Sequence, residues 1–516
     1  DLEAAADAFV AEGERLRARA HARQGEWEAA AEAGRRAVAA IERLRAGHGS
    51  GLLRTALAAD RIGAYGELTG TLLRLGRTEE AFEVADAARG RAFRESLGAA
   101  ARRDRDPSEW TLQAAREEEL LARIDALRSG VREAEEWGDR GAVEELGTRL
   151  RTARRDYEIL RIRQRELAPA AAARGVSAGA DAVREALGPQ EALLAWLVGP
   201  ERITTFVATR DSVAALEVDE SADGLAARVR LARGLLAEPA SPADRSAAVL
   251  RALDSLLVSP VRAAGLLDGA RRLVLVPHHV LSYLPFAALR GPEGRALVEE
   301  YELIVLPAAA ALPAIRGASA PEDGRARGAA TVFAPLPREL PSSRFEAEAL
   351  RSLLDAETRI GERATEAALR EALREAGIVH VASHGVMNRA NPLFSRIELA
   401  PGADPTVSAN DGRLEAHEVL DLSIHSRLVF LSGCETGLGT AGLSAAAPGE
   451  DFATLARAFL YAGAGAVVAT LWPVEDESAS RFAVRFYDRL TGEGAAAALA
   501  HAQREMLADP GTAHPY

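Results

Sequence analysis

A change of hydrophobic pattern about a third of the way along the chain constrains its fold more than any other feature. From residue 1 to about residue 165, apolar residues recur at helical spacing with almost no strand signal, whereas farther on short runs rich in Val, Leu and Ile alternate with helical patterns. Strands that alternate with helices indicate a largely parallel sheet covered by helices on both faces. We therefore predict an all-helical N-terminal part followed by an α/β domain.

The helical part contains two similar joints, Gly25–Ala30 and Gly76–Ala81. Each places a small turn residue before an acidic first turn and an alanine. This pattern predicts tetratricopeptide-like repeats over residues 1–107, and it also fits generic helical hairpins. Stacked repeats form curved surfaces that bind peptides or proteins, so we expect an activating or regulatory protein partner on them.

Residues 108–166 combine heptad-like apolar positions with many charged residues. The pattern breaks at Gly138–Gly141, as expected for two long helices that turn back on each other, the second from Val143 through Leu160. We predict an antiparallel helical hairpin with a solvated, charged face. The stretch Leu167–Gly179, rich in Pro, Ala, Gly and Ser, is predicted to be a linker.

Residues 180–516 are predicted to form the α/β domain, with an N-terminal subdomain (180–318) and a catalytic half (329–516). Apolar runs predict strands at Ala192–Leu197, Thr204–Ala208, Val213–Val218, Leu273–Val276, Leu303–Leu306, Thr331–Ala334, Thr358–Ile360, Ile378–Ala382, Leu428–Leu431 and Ala466–Leu471. Helical patterns lie at Leu225–Leu236, Ala247–Leu257, Phe345–Leu354, Glu366–Ala376, Phe452–Ala462 and Ser478–Leu490, which we take as the last helix.

Reactive side chains follow two of these strands. Ile378–Ala382 ends two residues before His384, and Leu428–Leu431 ends three residues before Cys434. The carboxyl ends of parallel strands meet at one edge of a sheet, where such folds bind ligands. A free thiol has a pKa of about 8.5 and reacts as the thiolate, so an imidazole nearby can take its proton. We predict that Cys434 is a nucleophile and His384 its base.

The surroundings of the two residues bear on this prediction. Gly385 and Gly433 leave room for a substrate carbonyl, and the N–H groups of Gly385 and Cys434 are candidate oxyanion-hole donors. His384 precedes Cys434 by 50 residues, and caspases keep about this spacing. Glu435 disfavours activation of Cys434, because a carboxylate beside a thiol raises the pKa of the thiol. Either residue alone is also typical of a protein core, so the prediction rests on their combination.

The sequence from Leu273 to its end resembles the CHAT domain, a caspase-like module that is related to separase and often follows tetratricopeptide repeats. The matching residues are Val276-Pro277 with Leu281, Leu284–Leu289, His380–Gly385, Asn391–Leu393, Gly412 with Leu414 and Glu418, Leu431–Gly437, Gly449-Glu450, Ala456–Leu460, Gly463-Ala464 and Leu471–Val474. The resemblance implies a caspase-like fold, a catalytic dyad of His384 and Cys434, and peptide-bond hydrolysis without a cofactor. It also implies a role in bacterial defence or programmed cell death.

The sequence departs from the family pattern in two places. Gly433 stands where many members carry Ala, which we expect to be a neutral change. The resemblance leads us to expect a further strand beyond Tyr516, and the first residue, Asp1, leads us to expect residues upstream.

The stretch Trp472–Asp476 resembles the part of separase in which an acidic residue selects a basic side chain before the cleaved bond. Asp476, with Glu475 beside it, is therefore the candidate substrate-binding residue, since a carboxylate can bind Arg through two hydrogen bonds. The same acids would also suit the first turn of the following helix, where negative charge is favourable. Both interpretations remain open.

Other motifs have simpler explanations. Gly437–Gly442 matches a dinucleotide-binding pattern, but a loop rather than a helix is predicted to follow it. His278-His279 lacks acidic ligands at suitable spacing, so we expect no metal site there. His417 and His425 have no convincing partner in the sequence. We expect neither a metal nor a cofactor.

Composition excludes several classes of protein. A net charge of −13 disfavours direct nucleic-acid binding, and one cysteine cannot form an internal disulfide or a multi-cysteine zinc site. No run approaches the roughly 18 apolar residues of a membrane span, and no signal peptide is apparent. We expect a soluble, cytoplasmic protein.

The favoured function is a cysteine endopeptidase that cleaves a specific protein and is regulated by its helical arm, which we expect to act by shaping the loop Gly437–Gly449. The main alternative is a catalytically silent caspase-like scaffold that serves as a protein-interaction module. A thiol hydrolase for esters or small amides is a third possibility, but small substrates need no docking arm.

Overall fold

The computed structural model describes residues 2–46, 51–88, 111–166, 179–238, 241–318, 330–388, 391–402, 410–433, 455–509 and 511–512. Within these residues, a helical N-terminal region precedes two five-stranded sheets that are covered by helices. The predicted fold class, helical repeats and a hairpin followed by an α/β domain with a mainly parallel sheet, is confirmed. The predicted linker lies outside the described residues, apart from Gly179.

The N-terminal arm consists of helices α1 (Leu2–Arg23), α2 (Trp27–Ala46), α3 (Gly51–Arg74) and α4 (78–88). The two joints predicted from the sequence have the same backbone shape, because Gly25 and Gly76 adopt φ of 78° and 72°. Such left-handed conformations favour glycine and end a helix. The repeated geometry agrees with stacked helix pairs.

The hairpin consists of α5 (Thr111–Glu136) and α6 (Arg140–Glu166), which pack against each other. Gly138 turns the chain with φ of 69°, and Asp139 Oδ1 accepts a hydrogen bond from Ala142 N at 3.0 Å. This cap starts α6 at Arg140, three residues before the predicted start. The predicted antiparallel hairpin is otherwise as expected.

The first sheet has the order β3-β2-β1-β4-β5, with β1–β3 antiparallel and β1, β4 and β5 parallel. Its strands are β1 (Glu191–Val198), β2 (Arg202–Ala208), β3 (Val213–Asp219), β4 (Arg272–Val276) and β5 (Glu302–Val305). Its helices are α7 (Ala180–Ala186), α8 (Ala222–Leu236), α9 (Ala243–Leu257), α10 (Ser259–Ala263), α11 (Leu297–Glu300) and α12 (Ala311–Ala318).

The second sheet is entirely parallel, in the order β13-β12-β8-β6-β7. Its strands are β6 (Ala330–Ala334), β7 (Glu357–Ile360), β8 (Ile378–Ala382), β12 (Leu428–Ser432) and β13 (Val467–Ala469). The short strands β9 (Gly385–Val386), β10 (Arg396–Glu398) and β11 (Arg413–Glu415) form a separate antiparallel sheet. The helices are α13 (Pro341–Leu354), α14 (Glu366–Glu375), α15 (Ala416–Leu420), α16 (Leu455–Tyr461), α17 (Asp476–Leu490) and α18 (Ala495–Ala508).

Two details of the predicted order need correction. Ser478–Leu490 is not the last helix, because α18 follows it and packs on α17 through small buried residues such as Ala498 and Ala502. The strand predicted at Ala466–Leu471 is shorter, since only Val467–Ala469 pairs with β12. Alanine gives little periodic signal, which explains why the final helix is missed.

The arm and the hairpin cover different sheets. Buried side chains of α3 and α4 join the core on one face of the first sheet, whereas buried side chains of α5 and α6 join the core on one face of the second. Among the helices of the described ranges, none is both long and apolar enough to cross a membrane.

Candidate active site

The second sheet brings the ends of β8 and β12 side by side. Their parallel register pairs Leu428 with Ile378 and continues to Ser432 with Ala382. The contact extends one residue further, because Ser383 N donates a hydrogen bond to Ser432 O at 3.0 Å. The two strands therefore end level, and the residues that follow them emerge at the same sheet edge.

His384 lies at this edge with about a third of its side chain exposed to solvent. Its backbone is fixed, because its carbonyl oxygen accepts a hydrogen bond from Glu398 N at 3.0 Å. The imidazole is therefore held by a rigid backbone while a solute can still reach it. These are the properties that a general base requires.

Glu339 contacts the histidine and was missed by the sequence reasoning. Its Oε2 lies 3.3 Å from His384 Nε2, and it stands in the loop between β6 and α13. Because β6 pairs with β8 in parallel, this loop leaves the sheet at the same edge as His384. An acidic residue a few positions after a strand of the same parallel sheet is the signal that could have identified it.

Gly433 fits only as glycine in this structure. A Cβ built on it would lie 2.3 Å from Ser383 O and 3.4 Å from Gly385 N. The two strand ends approach too closely for a methyl group, so glycine suits this position, and the neutral effect of glycine in place of the family's Ala stays a prediction. Thr470, directly after β13, donates a side-chain hydrogen bond to the carbonyl oxygen of Gly433.

Gly385 was predicted to donate its N–H to an oxyanion. It is paired with Ile397 across β9 and β10, while the bond from Glu398 N to His384 O belongs to the preceding pair. In an antiparallel ladder this makes Gly385 a non-hydrogen-bonded position, whose N–H points away from the partner strand. The N–H of Gly385 thus points away from β10.

Asp476 and Glu475 lie at the start of α17. Glu475 is its N-cap and accepts a hydrogen bond from Ser478 N at 2.8 Å. Hydrogen bonding with the Ser478 side chain, and then with its backbone, lowers the pKa of the Glu475 carboxyl. Asp476 Oδ2 accepts a hydrogen bond from Ser342 N at 2.8 Å, in the first turn of α13. The capping interpretation therefore describes Glu475, while one carboxylate oxygen of Asp476 joins α17 to α13.

Cys434, Glu435 and the loop Gly437–Gly449 lie outside the described residues, and so does the motif Gly437–Gly442. The nearest described residue before Cys434 is Gly433, and the chain resumes at Leu455.

A buried polar cluster lies behind His384. His380 Nε2 is 2.8 Å from Glu346 Oε1, at angles that do not satisfy hydrogen-bond geometry. His380 Nδ1 is 3.3 Å from the hydroxyl of Tyr487, and burial raises the pKa of this tyrosine well above its usual value. The cluster ties β8 to α13 and α17, the two helices that adjoin Glu339 and Asp476.

A cavity of about 250 Å³ lies between the hairpin and the catalytic half. His417 borders it, and the expectation that it has no partner is wrong. Its Nε2 lies 3.0 Å from Glu415 Oε2, and its Nδ1 lies 3.3 Å from the hydroxyl of Tyr157. The sequence could not indicate the second contact, because the two residues are 260 positions apart.

Three side chains beside this cavity, Glu415, His417 and Glu418, lie close enough together to hold a metal ion. They already have other partners, because Arg128 binds Glu415 at 2.8 Å and Arg370 binds Glu418 at 2.9 Å. Burial and the nearby Glu366 raise the pKa of Glu418 to about 8. This group is therefore better described as an ion-pair network than as a metal centre.

The other histidines have structural surroundings. His278 Nδ1 accepts a hydrogen bond from Val198 N at 3.0 Å, which joins the end of β1 to the turn after β4. His425 is exposed, and its backbone N–H donates to Leu373 O at 3.0 Å.

Comparison with known proteins places this geometry in context. The model of the CHAT domain family matches residues 247–516. Tetratricopeptide repeat protein 28 of Mus musculus is 28% identical over 316 residues, which cover 52% of this chain and 13% of that protein. The Homo sapiens protein of the same name is 28% identical over 327 residues, which cover 52% and 12%. The chain thus spans about an eighth of the length of these relatives.

A structural likeness extends over most of the chain. The crystal structure of the Saccharomyces cerevisiae separase–securin complex superimposes with a TM-score of 0.42 and 8% sequence identity, covering 97% of this chain and 46% of that one.

Proposed function

The chain belongs to the CHAT domain family, and we propose that it is a cysteine endopeptidase in which Cys434 is the nucleophile and His384 the general base. The observation that carries this proposal is the level ending of β8 and β12. A Cβ built on Gly433 would lie 2.3 Å from Ser383 O and 3.4 Å from Gly385 N. Gly433, the residue before Cys434 in the sequence, therefore lies close to the two residues that flank His384.

The proposed reaction uses groups at this edge. Cys434, as the thiolate, attacks the scissile carbonyl carbon, and the N–H groups of Gly385 and Cys434 stabilise the oxyanion. His384 takes the thiol proton and then donates it to the leaving amine, whose C–N bond breaks. Water next attacks the thioester carbonyl, its proton passes to His384, and the C–S bond breaks to release the acid and the thiol.

Glu339 is proposed to orient the imidazole. Its carboxylate at 3.3 Å from Nε2 favours the proton on that nitrogen and leaves Nδ1 to accept the thiol proton. Catalysis would thus use a carboxylate from the loop after β6, in addition to residues that follow β8 and β12.

Cleavage after a basic residue is proposed on the position of Asp476. One of its oxygens is engaged by Ser342 N, so at most the other oxygen can bind an arginine or lysine side chain directly. Its location at the start of α17, joined to α13 behind Glu339, supports a place at one wall of a substrate groove. The regulatory role of the arm and a function in bacterial defence or programmed cell death are proposed with it.

Peptide cleavage with systematic variation of the residue before the scissile bond tests the proposal. Cys434→Ala and His384→Ala should each abolish cleavage while circular dichroism stays unchanged, and full activity in either variant would refute the dyad. Asp476→Asn should selectively lower cleavage after Arg and Lys. Glu477→Gln, an exposed acid one residue further, is the matched control, and an equal effect in both variants would remove Asp476 from the pocket.

The silent-scaffold alternative makes a different prediction for the single thiol. In a peptidase, alkylation of Cys434 depends on pH through the imidazole, and His384→Ala changes this dependence. In a scaffold, His384→Ala leaves the alkylation profile unchanged.

A further inference from the structure

The segment that carries His384 forms a loop whose two ends lie side by side. Residues 384–398, apart from 389 and 390, are called the histidine segment below. Its two ends are joined, because Glu398 N donates to His384 O at 3.0 Å and Ser383 donates its hydroxyl to Glu398 O. Strands β9 and β10 pair between these ends. A displacement of the far end of the segment would therefore reach His384 through a short, paired ladder.

The hairpin holds that far end. Glu158 of α6 accepts hydrogen bonds from Asn391 Nδ2 at 3.3 Å and from Leu393 N at 3.2 Å. Asn391 and Leu393 are both buried. One acidic side chain thus satisfies two donors on the turn between β9 and β10, and one of them is a backbone N–H.

Aromatic packing reinforces the same contact. Tyr157 packs edge-on against Phe394 with ring centroids 5.5 Å apart, and the Arg154 guanidinium lies 4.9 Å from the centroid of the same ring. Phe394 is completely buried. Residues of a single turn of α6 therefore surround the far end of the histidine segment.

We propose that Glu158 is a positioning residue for His384, and that the hairpin is the element through which a regulatory signal reaches the active site. The inference rests on the proposed peptidase function. When α6 is in its observed position, the histidine segment is held and His384 keeps its orientation at the sheet edge. When α6 moves, Asn391 and the Leu393 amide lose their acceptor, and His384 loses its fixed orientation.

Charge placement favours this role over a purely structural one. A packed apolar residue at position 158 would fill the same space, but only an acceptor satisfies the backbone N–H of Leu393. The contact also spans 235 positions of sequence, so it joins the hairpin to the segment that carries His384. A partner that shifts the hairpin can break it without unfolding the catalytic half.

The test compares Glu158→Ala with Asp156→Ala, an exposed acid on the same helix. Glu158→Ala should accelerate hydrogen exchange of the Leu393 amide by about tenfold or more. It should lower kcat for peptide cleavage by about 10- to 100-fold with little change in KM, and shift the pH profile of Cys434 alkylation toward that of His384→Ala. Asp156→Ala should change none of these. Glu158→Gln, which keeps an acceptor for Leu393, should restore most of the rate.

Asn391→Asp provides a second route to the same result. It places a carboxylate opposite Glu158 at nearly constant shape, so like charges should release the segment and lower kcat as Glu158→Ala does. If exchange at Leu393 rises in either variant while kcat and the alkylation profile stay at wild-type values, the positioning role is overturned. If His384→Ala itself leaves the alkylation profile unchanged, the peptidase function fails, whatever the Glu158 variants show.

Discussion

The arm and the hairpin are attached to the α/β domain by contacts of different chemistry. The arm contact, α3 and α4 against the first sheet, has an apolar core with Phe82 packed edge-on against Phe206 at 5.7 Å. Its polar part consists mainly of acids of α4 that accept backbone hydrogen bonds, because the buried Asp86 binds the N–H groups of Ala309 and Ala310. The hairpin contact, α5 and α6 against β10, β11 and α15, adds charged groups and a cavity of about 250 Å³ to its apolar core. Arg128 and Arg161 there bind acids of the catalytic half.

The difference assigns different roles to the two contacts. Apolar burial depends little on pH and on moderate salt, so the arm contact should respond to both less than the hairpin contact does. Ion pairs depend on protonation and ionic strength, so the hairpin contact can be weakened without changing a covalent bond. The arm is therefore the element whose attachment is less sensitive to conditions, and the hairpin is the part that contacts the segment carrying His384.

Removing an aromatic ring from the arm contact should produce the largest loss of stability. Phe82 is 1% exposed, and Phe82→Ala should cost about 3–5 kcal/mol because it removes buried area and leaves a cavity. Hydrogen exchange of peptides from α4 and β2 measures their opening free energy and therefore this loss of stability. Phe9→Ala is the control, since Phe9 is 83% exposed. A loss that varied with salt would contradict the apolar description of this contact.

Breaking the central ion pair of the hairpin contact should have the next largest effect. Arg128 binds Glu415 at 2.8 Å and Asp411 at 3.2 Å, and Glu415 is nearly completely buried. Arg128→Met leaves that carboxylate without its cation, at a cost of about 3 kcal/mol in hairpin opening. Arg132→Met, on the exposed side of α5, should cost much less. Equal losses in the two variants would show that Arg128 stabilises the hairpin contact no more than an exposed arginine does.

The sequence predicted the arm joints and the second sheet well, because both depend on local signals. Gly25 and Gly76 mark turns that need a positive φ, and β8 and β12 are uninterrupted apolar runs that end in polar residues. Their ends placed His384 at the correct edge. Turns and strands of this kind can be predicted from a sequence alone, because neighbouring residues determine them.

The missed features depend on contacts between distant parts of the chain. Strands β9, β10 and β11 are two or three residues long, too short for an alternating pattern to be visible. Glu339 and Glu158 are ordinary polar residues in a loop and on a helix, and only the folded chain brings them to His384 and to its segment. The tight space at Gly433 has the same origin, because the nearby carbonyl oxygen belongs to Ser383, which follows another strand.

The hairpin contact should weaken as pH rises, unlike the arm contact. Burial raises the pKa of Glu366 to about 7, and burial and Glu366 raise that of Glu418 to about 8. A carboxyl with a raised folded-state pKa stabilises the fold fully below its unfolded-state pKa, and this stability is lost as pH rises through the folded-state value. Glu418 lines the cavity between the hairpin and the catalytic half, so opening the hairpin exposes it to water and lowers its pKa. Between pH 5 and 8 the hairpin opening free energy should therefore fall, by at most about 1 kcal/mol per pH unit.

Glu418→Gln should flatten this dependence, because an amide cannot ionise. Hydrogen exchange at several pH values, corrected for the intrinsic exchange rate, measures the slope in peptides from α5 and α15. Peptides from α4 in the same samples are the internal control and should show no comparable slope. An unchanged slope in Glu418→Gln would show that this carboxyl is not the titrating group.

The smallest effect is expected at the rim of the hairpin contact. Arg161 binds Asp421 at 2.6 Å, but more than half of the Asp421 side chain is exposed, so water and salt screen the pair. Asp421→Asn should therefore cost only about 0.5 kcal/mol in hairpin opening at low ionic strength, and the difference should disappear in about 1 M NaCl, where the screening length is about 3 Å. The Arg128→Met loss should largely persist in the same salt, because its partner Glu415 is buried. If salt removed both losses equally, the two pairs would be equally exposed, and the contact would be a surface attachment rather than a buried joint with a weak rim.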